Sequence, residues 1–212
     1  MIKNQSPEEF YKQRTRELTA ALAPLVYKRK IYGWLRLILV IGLVVLLWYT
    51  ITSGQVILLL PFAGVSALFL YIISSDLRNS ALIKNAETLI GLNEDEIKSL
   101  HHQFSHFPDG SEFKDPLHAY TGDLDIFGHA SLYQYINRTN SEQGNRLIAQ
   151  WLMAPANNET IKSRQESVRE LSDKPAWRQQ LQAHGLRDKI LLKTEDRVKN
   201  WVMEENKFIH SG

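Results

Sequence analysis

The sequence predicts a mainly α protein: a two-helix transmembrane hairpin followed by a cytoplasmic helical domain. Two observations carry this. Between Arg36 and Asp76 there is no Lys, Arg, Asp or Glu, and two apolar runs, residues 33–51 and 55–73, fill the interval. Beyond it, capping residues repeatedly precede apolar stripes at helical spacing.

Each apolar run is about 19 residues, hence about 28 Å as a helix, close to the hydrocarbon thickness of a bilayer. Thr52-Ser53-Gly54 is the only break between them. A helix apolar on every side does not suit the surface of a small soluble domain, and two joined by a tight polar turn read as a membrane hairpin. The alternative is a buried helical pair in a soluble core. Lys28, Arg29, Lys30 and Arg36 precede the first run, Arg78 and Lys84 follow the second, and the turn carries no charge. The positive-inside rule then predicts a multi-pass protein of the inner or plasma membrane of a bacterial-type cell, with both termini cytoplasmic. The lipid bilayer is accordingly the first expected partner. Trp34, Trp48, Tyr49 and Tyr71 fall near the expected interfaces. Pro61 predicts a kink in the second span. Ala63, Gly64 and Ala67 form a small-residue face, whose ordinary use is packing the two spans and whose other use is a homodimer.

Length and composition bound the rest. The chain has 212 residues, a net charge of +2 and no cysteine. About 130 residues follow the hairpin, enough for one modest core. The charge is too small to indicate a nucleic-acid partner by itself, and a disulfide framework or thiolate metal site is excluded. A cleaved signal peptide does not fit, because the first apolar run begins some thirty residues in and a second follows.

Ser6-Pro7-Glu8-Glu9 is a helix start, with Ser6 and Glu9 as a reciprocal cap. The helix is predicted to stop at Pro24. Its mixed face of Phe10, Arg14, Leu18, Ala21, Leu22 and Leu25 suits either an anionic membrane surface or packing on the cytoplasmic domain. A helix over 76–90 should end at Gly91, and Asn93-Glu94-Asp95-Glu96 should start another reaching Phe104. His102 and His106, four apart near its end beside His101, have ligand spacing, but no third ligand is fixed and no metal is expected. Pro108-Asp109-Gly110-Ser111 is a turn. Leu124 to Phe127 reads as a short extended segment broken by Gly128. A helix follows over 131–137, a second is capped by Asn140 or Ser141 and runs to Pro155, and a third is capped by Asn158. Asp123 and Asp125, two apart on an extended segment, could bind a metal; accepting hydrogen bonds from Arg138, Arg146 or helix-start amides is the better use. Further helices begin at Pro175, closed by Gly185, and at Thr194. Trp177, Leu181, Trp201 and Val202 are expected as core, and the Arg178, Arg187, Lys189, Lys193, Arg197 and Lys199 set as a solvated mixed-charge face rather than a nucleic-acid surface.

The ordered series Asp123-Leu124-Asp125-Ile126-Phe127-Gly128, Ser131-Leu132, Asn137-Arg138-Thr139, Gly144, Arg146, Trp151-Leu152, Pro155, Arg164-Gln165, Val168, Glu170 and Leu171 resembles the opening of the core, or lever, domain of the MutS family of mismatch-repair ATPases. The resemblance covers about 55 residues. With His118-Ala119-Tyr120 and the hairpin, the chain looks most like a membrane-anchored subgroup in which the anchor replaces the mismatch-reading domain. It implies structural or lever roles for His118, Tyr120, Asp123, Asp125, Phe127, Gly128, Arg138, Thr139, Gly144, Trp151, Pro155, Arg164 and Gln165. It further implies DNA as a partner, reached through a C-terminal clamp, and ATP with magnesium for a full-length parent. No GxxxxGK[ST] loop and no Phe-x-Glu element occurs here, so this segment is expected to hold no cofactor and to have no catalytic residue. The chain then reads as an N-terminal portion of a longer protein. Its expected divisions are residues 1–31 (basic N-terminal helix), 32–74 (hairpin), 75–116 (juxtamembrane linker) and 117–212 (start of the lever domain). A membrane-anchored helical adaptor for a protein partner is the alternative.

Overall fold

The computed structural model describes residues 6–187 and 192–204. Lys189, part of the mixed-charge face expected above, lies outside them. The described residues form helices and no strand: α1 (Pro7–Ser53), a 3-10 turn (Val56–Leu58), α2 (Leu59–Leu100), a second 3-10 turn (Ser111–Phe113), α3 (Leu132–Ile136), α4 (Glu142–Met153), α5 (Asn158–Ser172), α6 (Pro175–Arg187) and α7 (Leu192–Met203). Two compact units result, one over Phe10–Asn93 and the other joining Met1–Glu9 to Glu94–Gly212.

The first unit is a helical hairpin. The start of α1 is capped as its residues require: the Glu9 amide donates to Ser6 Oγ at 3.2 Å and the Ser6 amide to Glu9 Oε2 at 3.1 Å. Pro24 does not end the helix. A proline removes one backbone bond, and here Leu22 and Leu25 on either side are half-buried while the Leu25 carbonyl also accepts from Asn79 Nδ2 at 2.9 Å. Nor does α2 break at Gly91 to restart at Asn93. Asn93 Nδ2 donates back to the Leu89 carbonyl at 2.6 Å, so this side chain bonds within the helix instead of capping a new one. The turn falls where expected, with Gly54 at φ +65° after Ser53. Pro61 sits in the first turn of α2, just after the 3-10 turn, where its missing N–H has no helical partner to lose; it produces no mid-span break.

Two links run between the helices in reverse chain order: Leu25 meets Asn79, and Arg36 Nη1 meets Asp76 Oδ2 at 3.1 Å. The pairing is therefore antiparallel. The inner stripe of α2 carries the buried Ile72, Asp76, Asn79, Ile83 and Ala86, spaced alternately by four and three as in a coiled-coil seam. Toward the turn the same stripe continues as the half-buried Phe62, Val65 and Phe69. Ala63, Gly64 and Ala67 point away from it and are exposed, so the expected small-residue packing face is not the one used. Both helices are long and apolar enough to cross a membrane, and none of the residues in their most apolar windows is buried. The apolar stretches of the hairpin are thus not buried within the described residues. Trp34, Ile38, Trp48, Ile51, Val56 and Leu60 all face outward.

The second unit holds a small core of Ile126, Phe127, Tyr133 and Ala149, flanked by Phe113, Ile148, Leu152 and Met153. Tyr133 is fully buried, its ring 5.5 Å from Phe127 and 5.7 Å from Phe113 between centroids. Gly110, in the expected turn, lies at φ +69°, and a Cβ there would meet the Tyr133 ring at 2.6 Å. Both the backbone and the ring thus require glycine. Replacing it by alanine should cost about 2–4 kcal/mol, the sum of left-handed strain and overpacking. Thermal unfolding of the detergent-solubilised protein, followed by near-ultraviolet circular dichroism, measures it; an unchanged midpoint would contradict the packing described.

Candidate functional site: the cluster that holds α4

Four of the residues singled out from the sequence, His118, Tyr120, Thr139 and Gly144, lie at the two ends of α4. Its last carbonyls have no partner within the helix. His118 Nε2 reaches the Met153 carbonyl at 3.0 Å and the Tyr120 hydroxyl donates to the Leu152 carbonyl at 2.9 Å. The amides of Tyr120 and Thr121 point at His118 Nδ1, each at 3.4 Å, which places the imidazole proton on Nε2. Two side chains from the 118–120 loop therefore cap α4 from outside.

At its other end, Ser141 accepts from the Gly144 amide at 3.1 Å, making Ser141 rather than Asn140 the cap. Asn140 instead donates to the Gln182 carbonyl at 3.0 Å, beside Gly185, over which α6 continues without stopping. Thr139 packs on α4 at Gly144, where a Cβ would stand 2.9 Å from Thr139 Cβ. The Thr139 hydroxyl meets Asn137 Oδ1 at 2.7 Å and also Asn145 Oδ1, while Asn137 Nδ2 donates to Asn145 Oδ1 at 2.9 Å. Asn137 is almost fully buried, and this amide pair satisfies it.

Arg138 pairs with neither Asp123 nor Asp125. Its Nε and Nη2 clamp Glu96 at 2.6 and 3.3 Å, Nη1 donates to the Tyr135 carbonyl at 2.8 Å, and the guanidinium lies 4.0 Å from the Phe107 ring centroid. A bidentate partner near the end of α2 outcompetes exposed acids. The 124–127 segment is a chain of turns, not an extended strand, and Asp125 itself has φ +48°. The two acids are exposed and do not share a strand face, which removes the geometric basis of a metal pair. It is the backbone of this segment that serves α3: the Asp125 and Ile126 carbonyls accept from the amides of Leu132 and Tyr133, at 3.3 and 3.0 Å. Phe127 joins the core. Gly128, at φ +106°, lies under the Lys114 side chain. Trp151 carries Arg164 on its face, 3.8 Å from centroid to guanidinium, linking α4 to α5. Pro155 follows the C-cap Ala154, and Gln165 is exposed on α5.

Other expectations change. Asn157, one residue earlier than expected, caps α5 through the Thr160 amide at 2.8 Å. His102 has left the helix at φ +59°, so His102 and His106 do not share a helical face; His106 lies 3.4 Å from Asp95. Among the described residues no group of three His, Cys, Asp or Glu could hold a metal ion. Trp177, Leu181, Trp201 and Val202 are exposed instead of forming core. An open cleft of about 560 Å³ lies between Glu112, Phe113, Glu142, Asn145, Arg146 and Met153. Glu96, expected at a helix start, instead holds Arg138, and the sequence did not point to Asn145 or Asn157, whose roles depend on a partner elsewhere in the chain or on a one-residue choice of cap.

Burial pushes the Tyr133 hydroxyl up to about 12, and the Glu112 charge acts in the same direction. A folded-state value above the unfolded value of about 10 means stability present below pH 10 and lost as pH rises toward 12, on the order of 2 kcal/mol. Tyr133→Phe should flatten this alkaline limb, measured by denaturant titrations across that window; a limb of equal steepness in the variant would refute the assignment. Gly144→Ala should force Thr139 away and cost about 1–3 kcal/mol, whereas Tyr120→Phe should cost about 1 kcal/mol. Hydrogen exchange at the amides of α4 reports both, and equal protection in Gly144→Ala and the parent would count against the close contact.

Residues 117–196 match the family model described as MutS domain III. No curated protein and no solved structure matches the chain. The matched segment contains all thirteen residues placed above, from His118 through Gln165, and its helical make-up agrees with α3–α7. Over residues 117–196 the chain is similar to MutS domain III.

Proposed function

We propose that the chain is the membrane-anchored lever part of a MutS-like DNA-binding ATPase. The observation that carries the membrane half is the outward apolar surface of the hairpin: two apolar helices whose faces away from the seam are bare, with Trp34, Trp48 and Tyr71 exposed toward the ends of the apolar region. Water would penalise that surface by roughly 25 cal/mol per Å² of apolar area. A bilayer removes the penalty, and the cations at 28–30, 78 and 84 favour the cytoplasm for both termini.

The match to MutS domain III carries the other half. In this reading α3–α7 are lever helices, and His118, Tyr120, Thr139, Gly144, Trp151 and Arg164 keep α4 and its neighbours together so that a displacement passes along them. Nucleotide binding, with magnesium, and DNA clamping belong to regions outside these 212 residues. Recognition of branched or otherwise distorted DNA fits as well as recognition of mismatches. A second reading, a membrane-held adaptor for a protein partner, draws on the exposed Val168, Trp177, Trp201, Val202 and Met203 of α5–α7.

In cells, the protein should stay in the membrane pellet through alkaline carbonate extraction, and its C-terminal half should resist protease added outside sealed cells. Release into the supernatant would refute the anchor. The protein bearing its complete natural coding sequence should bind distorted duplexes in a salt-dependent manner; retention in the membrane without any DNA binding would favour the adaptor.

A further inference from the structure

We propose that the base of the hairpin is a cationic collar that selects anionic lipid headgroups, an inference that rests on the membrane reading above. Between Glu17 and Glu87 the chain carries Lys28, Arg29, Lys30, Arg36, Arg78 and Lys84 but a single acid, Asp76. Arg36 occupies that acid at 3.1 Å. Lys28, Arg29, Lys30, Arg78 and Lys84 are exposed, and the only carboxylate of the region is already paired.

The antiparallel pairing brings cations of both helices to the same end of the apolar region. Taking the Leu25–Asn79 link as the level of pairing, Arg78 lies about 2 Å and Lys28 about 5 Å toward the apolar end, and Lys84 about 8 Å the other way. The headgroup layer of a bilayer leaflet is roughly 5–8 Å thick. Side chains from this band lean toward the apolar end: Arg78 Nη2 donates to Ser74 Oγ at 3.3 Å, and Lys28 Nζ lies 5.6 Å from the Tyr32 ring, in each case one helical turn nearer the membrane. Trp34, exposed, lies on the apolar side of Lys28, Arg29 and Lys30 and supplies an interfacial ring. Unpaired cations beside an interfacial indole, with no competing acid, recognise a phosphodiester headgroup that carries net negative charge.

The test uses the intact chain reconstituted into bilayer discs of phosphatidylcholine containing a minority of phosphatidylglycerol, with the lipid retained after mild detergent extraction quantified by mass spectrometry. Phosphatidylglycerol should be enriched several-fold over the bulk, and less so at high salt. Combining Lys28→Gln, Arg29→Gln, Lys30→Gln and Lys84→Gln should abolish the enrichment while the protein still enters the discs; neutralising Lys162 and Arg178 instead should leave it unchanged. No enrichment in the parent, or enrichment that survives the four substitutions, would overturn the collar. Displacement of the lipid by inorganic phosphate would overturn headgroup selectivity. Failure of the parent to enter discs would instead overturn the membrane reading itself.

Discussion

The C-terminal unit depends on one buried ring. Tyr133 comes from a helix of five residues, too short to be stable alone, and it gathers Phe113 and Phe127 from loops on either side. Everything that α3 lacks in length is supplied from outside: Ser131 caps it, the Asp125 and Ile126 carbonyls receive its first amides, and Gln134 ties the 105–107 loop to it through the Phe107 carbonyl at 2.8 Å. The core is small, so polar satisfaction carries much of the specificity. Buried Asn137, Ser131 and Gln134 all have partners.

From that centre the family motif becomes intelligible as support for one helix. Histidine and tyrosine hold the C-terminal carbonyls of α4, threonine needs a glycine on its first turn, and a tryptophan near its end receives an arginine from α5. These side chains are engaged with the fold.

The hairpin obeys a different constraint. Its seam is marked by the polar residues Arg36, Asp76 and Asn79, which lie where two otherwise uniform apolar helices meet. Asp76 is buried and the Arg36 side chain is partly exposed, so their pair contributes little net stability but discriminates between registers, because a slip leaves the buried carboxylate without its partner. The same two residues that delimit the uncharged stretch in the sequence are therefore bonded to each other in the fold.

Much was legible beforehand. The helical hairpin and its turn, the Ser6–Glu9 cap, the Gly110 turn and the Ser131 helix all follow from local rules: run length, cap chemistry and left-handed glycine. Where local rules failed, packing overrode them. Pro24, Gly91 and Gly185 are breakers in isolation, yet helices continue through all three. Within an entirely apolar run no periodicity shows which side faces inward, so the seam could not be read there, and Ala63, Gly64 and Ala67 took the outer face. Arg138 chose Glu96 across forty-two positions, a choice invisible to spacing. The sequence by itself determined the helical class and the apolar character of the hairpin, because these depend on residue chemistry summed over a window. Only the tertiary structure decided which charges pair, which face is buried and which carbonyls the motif residues hold, because those depend on the distance between groups far apart in the chain.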